Sequence, residues 1–152
     1  MPFPGSSMKN ARGELDMFHT STYRVSYGDT DQMAVVYYGN YLEFFERART
    51  EMLRDCGLPY AELERRGWLL MVVEANCRYR SPARYDDLLT FKSAVAEITR
   101  VRLKIVTQVY REETLLAEGY VILGAVDKNY RIARLDPEFV EICRKYSLEE
   151  QA

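Results

Sequence analysis

The residues best suited to chemistry in this sequence are two aspartates that stand just before a predicted helix. Asp29 and Asp31 lie in a turn-prone stretch, and the helix is predicted to begin near Asn40. The free backbone N–H groups at a helix start carry about half a positive charge, so they polarise a carbonyl oxygen placed against them. A carboxylate at the same place can act as a nucleophile or as a general base toward water. This combination suits acyl-transfer chemistry.

Two blocks of the sequence carry a resemblance to a known family. Asp29-Thr30-Asp31, followed by Val-Val-Tyr-Tyr-Gly-Asn-Tyr-Leu from residue 35, resembles the signature of the 4-hydroxybenzoyl-CoA thioesterase family, and Ser81-Pro82-Ala83-Arg84 opens a stretch that resembles its second block. The resemblance covers about residues 23–143. It implies the hotdog fold and hydrolysis of an acyl-CoA thioester, with no cofactor and no metal.

The resemblance also assigns roles to individual residues. The second acid of the motif is the catalytic one in the family, which corresponds to Asp31, and the backbone N–H of Tyr38 is expected to face the thioester carbonyl. We predict that Tyr37 and Asn40, in the same motif, contact the substrate. Many relatives have His where this chain has Tyr38.

Several alternatives stay open at this stage. The acidic cluster can form an Asx turn and nothing else, which is a common use of such residues. Glu46 is a second candidate carboxylate, because hotdog enzymes of other subfamilies use a glutamate on the helix. Ala34 replaces a usual Gly and would resist a positive φ. A non-catalytic module that binds acyl thioesters is therefore the rival to a thioesterase.

Coenzyme A carries phosphates, for which Arg is a preferred partner. Arg100 and Arg102 at a predicted hairpin, and Arg131 near the end of the chain, are the predicted phosphate contacts. Charge runs are more often solvated faces, and Arg78, Arg80 and Arg84 offer a second basic group.

Composition excludes several other functions. The chain has 152 residues, a net charge of −2, one histidine and three cysteines without CxxC spacing. Hydrolases built on a Ser-His or Cys-His pair and zinc sites draw on histidine, and His19 lies in a polar setting that predicts exposure. A broadly basic nucleic-acid surface and a membrane span have no support. Scattered thiols favour a reduced, cytoplasmic protein.

The hydrophobic patterns predict one α+β domain over residues 17–152, after a flexible leader at residues 1–16. A helix is predicted over residues 40–56, from apolar residues at helical spacing, and a short one over 60–66. Strands are predicted at residues 17–27, 69–79, 88–98, 101–110 and 114–126, and Asp136-Pro137 opens a last helix. One long helix wrapped by an antiparallel sheet of about five strands is the hotdog fold implied by the motifs. Edge strands of such a sheet favour a homodimer or homotetramer.

Overall fold

The computed structural model describes residues 18–148. The predicted leader and the two ends of the predicted domain lie outside this range. Four of the five predicted strands, and the helices predicted over residues 40–56 and 60–66, begin and end within one residue of the predicted positions. The last helix begins where Asp136-Pro137 predicts it. The elements are β1 (His19–Arg24), α1 (Asn40–Asp55), α2 (Tyr60–Arg65), β2 (Leu69–Tyr79), β3 (Leu88–Ile98), β4 (Arg102–Arg111), β5 (Thr114–Val126) and α3 (Pro137–Cys143), with 3₁₀ turns at Tyr27–Asp29 and Arg144–Tyr146.

The strands form a single antiparallel sheet in the order β1-β3-β4-β5-β2. Short turns join β3 to β4 and β4 to β5, as the sequence predicts, because antiparallel neighbours need only a hairpin. The sheet has two edges, β1 and β2. The prediction of an α+β hotdog architecture, with one long helix, about five antiparallel strands and a C-terminal helix, is confirmed.

The long helix α1 packs its apolar face against the sheet. Its six fully buried side chains are Tyr41, Phe44, Phe45, Ala48, Met52 and Leu53. Gly119 on β5 permits this close approach, since a Cβ there would stand 2.6 Å from the Phe45 ring and 2.0 Å from the backbone oxygen of Asn76. The absence of a side chain at this position therefore sets how deeply α1 lies in the sheet.

Strand β4 is buried on both of its faces. Residues 103–110 are all buried, including Lys104 and Gln108 on the side turned away from α1. The main core covers one face of β4, and Phe18, Ala94 and Tyr120 pack around Val106 on the other. A second, small apolar cluster of Phe18, Ala94 and Val106 lies apart from the main core.

The single histidine is buried, so the prediction of an exposed His19 is wrong. Only 4% of its surface is accessible, its Nε2 lies 2.7 Å from the Asp55 carboxylate, and its ring meets the edge of Tyr146. Local polarity predicted exposure, but these two partners come from the end of α1 and from the C-terminal segment. His19 joins three elements and has no contact with the acidic motif.

No helix within residues 18–148 is long and apolar enough to cross a membrane.

Candidate active site

The acidic motif forms a narrow hairpin before α1. Thr30 pairs with Val36, the N–H of Asp31 donates to Val35 at 2.9 Å, and the N–H of Ala34 donates back to Asp31 at 3.0 Å. The hairpin is tied to the second motif, because the N–H of Val36 donates to the Ala83 oxygen at 2.8 Å. The two blocks that carry the family resemblance therefore meet in space.

Ala34 adopts the left-handed backbone conformation, with a φ of 62°. The sequence predicted that alanine would resist this conformation, yet the loop follows the path that glycine would allow. The turn is fixed by its own hydrogen bonds and by Ala83, which outweigh a cost of about 1 kcal/mol for a left-handed alanine. Replacing glycine by alanine therefore leaves the hairpin closed.

Ala34→Gly is expected to raise the free energy of unfolding by roughly 0.5–1 kcal/mol, since the relief of strain exceeds the added entropy of the unfolded chain. Urea unfolding measures it. Ala61→Gly is the matched control: Ala61 lies in helix α2, where glycine costs about 1 kcal/mol, so the two substitutions should act in opposite directions. A loss of stability at Ala34 equal to the loss at Ala61 would contradict the strain.

Asp31 keeps one carboxylate oxygen free for chemistry. Its Oδ1 accepts the N–H of Met33 at 2.8 Å, which is the Asx turn that the sequence offered as an alternative. Its Oδ2 has no hydrogen-bond partner among residues 18–148, and the residue is only half-buried. The turn therefore orients the carboxylate while one oxygen stays accessible to water or a substrate.

Asp29 has a structural role in the hairpin. Its Oδ2 accepts the hydroxyl of Tyr23 at 2.7 Å and the N–H of Ser26 at 2.9 Å. Burial alone would raise the pKa of the Asp29 carboxyl, but these hydrogen bonds outweigh it and hold the pKa below its usual value. The Asp29 carboxylate is thus stabilised in its charged form and links β1 to the loop.

Asp29→Asn is expected to lower the free energy of unfolding by about 1 kcal/mol at pH 7, because hydrogen bonds to a charged acceptor are lost. The lowered pKa means that this stabilisation is complete above the unfolded pKa, near 3.9, and disappears as the pH falls through the folded pKa. The difference in the free energy of unfolding between the native protein and the variant should therefore become smaller below about pH 4. Urea unfolding at several pH values measures it, and a gap independent of pH would contradict the assignment.

The start of α1 leaves a backbone donor unused. The N–H of Tyr37 donates to Asp29, that of Asn40 to Tyr37 and that of Tyr41 to Tyr38. The N–H of Tyr38 has no acceptor within the described residues. An unpaired donor at a helix start is a position where an anionic oxygen binds favourably.

Asn40 is the first residue of α1, as the sequence predicts. Its side-chain amide donates to the backbone oxygen of Asp29 at 2.9 Å. The amide thus ties the helix start to the acidic hairpin. Tyr37 is exposed and its ring packs on that of Tyr38. The hydroxyl of Tyr38, and with a smaller effect the Asp31 charge, raise the pKa of Tyr37.

A shallow cleft of about 300 Å³ lies beside the free N–H. Tyr41 of α1 lines it, and so does Tyr79 at the end of β2, which sequence reasoning missed. The Tyr79 hydroxyl donates to the backbone oxygen of Tyr38 at 2.9 Å, and burial followed by the nearby Cys77 raises the pKa of Tyr79 to about 12. A tyrosine just before the second motif was the available signal.

The predicted phosphate contacts lie at the opposite end of the sheet from Asp31 in the same chain. Arg100 lies in the turn between β3 and β4, and Arg102 is the first residue of β4. The Arg100 oxygen accepts the N–H of Leu135, which holds the segment containing Arg131 nearby. Ten residues of β4 span about 33 Å between the two ends. The structure does not bring these three arginines to the acidic motif.

The second basic group lies at the correct end. Arg84 is exposed, and its backbone forms an antiparallel bridge with Val35 of the acidic hairpin. Arg80 borders the cleft and binds the buried carboxylate of Glu118 at 2.8 Å. Within residues 18–148, no three His, Cys, Asp or Glu side chains are grouped closely enough to hold a metal ion.

Comparison with known proteins decides the family. Residues 25–142 match the model of the thioesterase-like superfamily. The chain belongs to this superfamily. The match covers the acidic hairpin, α1, the cleft and the whole sheet except β1, so the resemblance seen in the two motifs is confirmed.

Three relatives show how close the similarity is. The acyl-CoA thioester hydrolase YbgC of Escherichia coli is 36% identical over 105 residues, covering 68% of this chain and 78% of that protein. A DHNA-CoA thioesterase structure from Staphylococcus aureus is 26% identical with a TM-score of 0.79, covering 82% and 87%. A 4-hydroxybenzoyl-CoA thioesterase variant, solved with 4-hydroxybenzoyl-CoA, shares the fold at 23% identity with a TM-score of 0.75, covering 84% and 99%. The prediction of a hotdog thioester hydrolase is confirmed at the level of the family.

Proposed function

We propose that this protein hydrolyses acyl-CoA thioesters, with Asp31 as the catalytic carboxylate and the backbone N–H of Tyr38 as the group that polarises the carbonyl. The observation that carries the proposal is the pairing of two unused groups: Asp31 has a free carboxylate oxygen, and the N–H of Tyr38 has no acceptor among the described residues. Both belong to one hairpin-and-helix unit, and Tyr38 lines an open cleft. The rival, a module that only binds acyl thioesters, gives no reason for a free carboxylate there.

The chemistry follows from these two groups. The thioester oxygen accepts the N–H of Tyr38, and the charge that develops on this oxygen is stabilised by the donor and by the start of α1. Asp31 either removes a proton from the water that attacks the carbonyl carbon or attacks that carbon itself, giving an anhydride that water then cleaves. The C–S bond breaks in both routes, and coenzyme A leaves as the thiolate, which takes up a proton. The products are a free acid and coenzyme A.

Tyr37 and Asn40 have different parts in this proposal. Tyr37 is exposed beside the Asp31 charge, which supports a contact with substrate. The Asn40 amide donates to the backbone oxygen of Asp29, so Asn40 affects the substrate by fixing the position of the helix start. Asn40 thus serves as a positioning residue.

The coenzyme A moiety requires cations at the mouth of the cleft. Arg80 and Arg84 lie at this end of the sheet, which supports them as phosphate contacts from the same chain. The predicted phosphate contacts lie at the opposite end of the sheet: Arg100, Arg102 and Arg131. They can contact the phosphates only if a second copy brings that end of its sheet to the cleft. An antiparallel homodimer does so.

The edge strand β2 supports such a homodimer. It exposes Met71, Val72 and Val73, which are 45%, 54% and 53% accessible, on a strand with one unpaired edge. An unpaired apolar edge is a template for pairing with another chain. We propose a dimer through β2, and two such dimers can form a tetramer. We also propose that the domain of each copy starts at about residue 17.

We also propose a cytoplasmic location. Cys56, Cys77 and Cys143 are free, and burial followed by the nearby Cys56 raises the pKa of the Cys143 thiol to about 12. Buried free thiols of this kind fit a reducing compartment.

The test is the release of thiol and free acid from aromatic, short-chain and long-chain acyl-CoAs by the purified protein. Hydrolysis of at least one class, with acid and coenzyme A in equal amounts, is the expected result. Binding of acyl-CoA without release from any member of the panel would replace the thioesterase with the binding module.

A further inference from the structure

The hydroxyl of Tyr79 links the end of β2 to the start of α1. It donates to the backbone oxygen of Tyr38 at 2.9 Å, and the two residues stand 41 positions apart in the sequence. The Tyr79 ring also meets two other rings edge-on, that of Tyr38 at 6.4 Å and that of Tyr41 at 5.2 Å between centroids. Tyr79 therefore holds the residue that supplies the proposed backbone donor, although the mechanism above gives it no part.

The backbone of residue 38 has few other fixed contacts. The Tyr38 side chain is 63% exposed, and its N–H has no acceptor within residues 18–148. Its oxygen also accepts the N–H of Tyr41, but at 3.3 Å, which is longer than a usual N–H···O hydrogen bond. In the described part of the chain, the Tyr79 hydroxyl is thus the closest hydrogen-bond partner of residue 38.

The residues on either side of Tyr38 are held by a different element. The backbone oxygen of Asp29 in the acidic hairpin accepts the N–H of Tyr37 at 3.0 Å and the side-chain amide of Asn40 at 2.9 Å. The peptide group that carries the Tyr38 N–H joins residues 37 and 38. Asp29 fixes one side of this group and Tyr79 fixes the other, so the direction of the N–H depends on both.

Tyr79 can serve as an anchor because its own position is fixed. It is the last residue of β2 and pairs with Ala117 of β5. The N–H of Arg80 donates to the Leu116 oxygen at 2.8 Å, so the chain stays bonded to β5 just beyond Tyr79. The Tyr41 side chain that its ring contacts is only 2% exposed. A group held by a strand and by the buried face of a helix suits a preorganised site.

We propose that Tyr79 is a positioning residue for thioester hydrolysis, whose hydroxyl holds the backbone of residue 38 where its N–H meets the thioester oxygen. This role rests on the function proposed above. Tyr79 acts through Tyr38 rather than on the reacting atoms, because its hydroxyl proton is used in the bond to the Tyr38 oxygen. A misplacement of about 1 Å can lower a rate by about 100-fold, so the loss of one hydroxyl here has a measurable effect on turnover.

Tyr79→Phe tests this role, because it keeps the ring and removes only the hydroxyl. We expect kcat to fall about tenfold or more while KM stays within about twofold, as for an interaction needed mainly in the transition state. Tyr60→Phe is the matched control, since the Tyr60 hydroxyl accepts the N–H of Leu70 at 3.1 Å, near the other end of β2. Its kcat should stay within about threefold of the native value. Urea unfolding checks that both variants are folded under the assay conditions.

A second measurement follows residue 38 itself. Carbon-13 labelling of the tyrosine carbonyl groups makes the Tyr38 carbonyl visible by NMR. Because hydrogen bonding deshields a carbonyl carbon, this resonance should move upfield in Tyr79→Phe. It should keep its position in Tyr60→Phe, which leaves residue 38 untouched.

Three results would overturn the role of Tyr79 while leaving the thioesterase intact: a native kcat in Tyr79→Phe, a loss of kcat equal to that in Tyr60→Phe, or an unmoved Tyr38 carbonyl resonance. A native protein that releases no thiol from any acyl-CoA would instead overturn the proposed function, and this role with it. The native protein in the same assay therefore distinguishes the two failures.

Discussion

Asp31→Asn is expected to lower kcat by at least about 100-fold while the protein folds and binds acyl-CoA as before, because an amide can neither remove a proton from water nor attack a carbonyl. The substitution is close to isosteric, and its amide oxygen still accepts the N–H of Met33 that fixes the hairpin. The loss should therefore appear in kcat, with little change in the Kd for acyl-CoA. Steady-state thiol release and equilibrium binding measure the two quantities separately.

Tyr38→Phe is the matched control for this prediction. The proposed donor at position 38 is a backbone N–H, which any residue except proline provides, and the side chain is 63% exposed. We therefore expect kcat to stay within about threefold of the native value, the range of an ordinary surface change. A kcat for Asp31→Asn within tenfold of native, or a Tyr38→Phe variant as impaired as Asp31→Asn, would contradict the assigned roles.

Gly119→Ala is expected to lower the free energy of unfolding by roughly 3 kcal/mol or more, at the upper end of the cost of overpacking a core. The added Cβ would stand 2.0 Å from the backbone oxygen of Asn76 and 2.6 Å from the Phe45 ring. A backbone atom cannot move away as the end of a side chain can, so β2, β5 and α1 must separate. Displacement of α1 also shifts the helix start at the active site, and kcat should fall together with stability.

Gly124→Ala provides the comparison on the same strand. A Cβ at this position meets Val73 at 3.4 Å, an ordinary van der Waals distance, and no backbone atom closer than 4.0 Å. Its effect should stay within about 1 kcal/mol in either direction. Urea unfolding of both variants decides the matter: equal losses for the two glycines would mean that strand propensity, rather than the approach of α1, explains Gly119.

The helices and most strands could be predicted because their signals are local. Apolar residues at helical spacing define α1, and β2, β3 and β5 end where the sequence predicted. Exposure was less predictable, since it depends on distant neighbours. His19 is covered by Asp55 and Tyr146, and β4 is buried on both faces by side chains from other elements.

The active site was predictable only in part for the same reason. Asp31 and Tyr38 lie seven residues apart, and their motif carries a family resemblance, so both could be proposed from the sequence. The end of the sheet at which an arginine lies depends on strand order, which no single segment contains. Arg100, Arg102 and Arg131 were therefore grouped by charge. Long-range contacts instead bring Arg84 to the acidic hairpin and Arg80 to the cleft.

The most direct test of the central claim is a crystal structure of the Asp31→Asn variant with an acyl-CoA that the native protein hydrolyses. The thioester oxygen should lie about 2.7–3.1 Å from the backbone nitrogen of Tyr38, with the carbonyl carbon beside the substituted side chain. A thioester bound elsewhere, or a carbonyl oxygen beyond hydrogen-bonding distance of that nitrogen, would contradict the proposed mechanism.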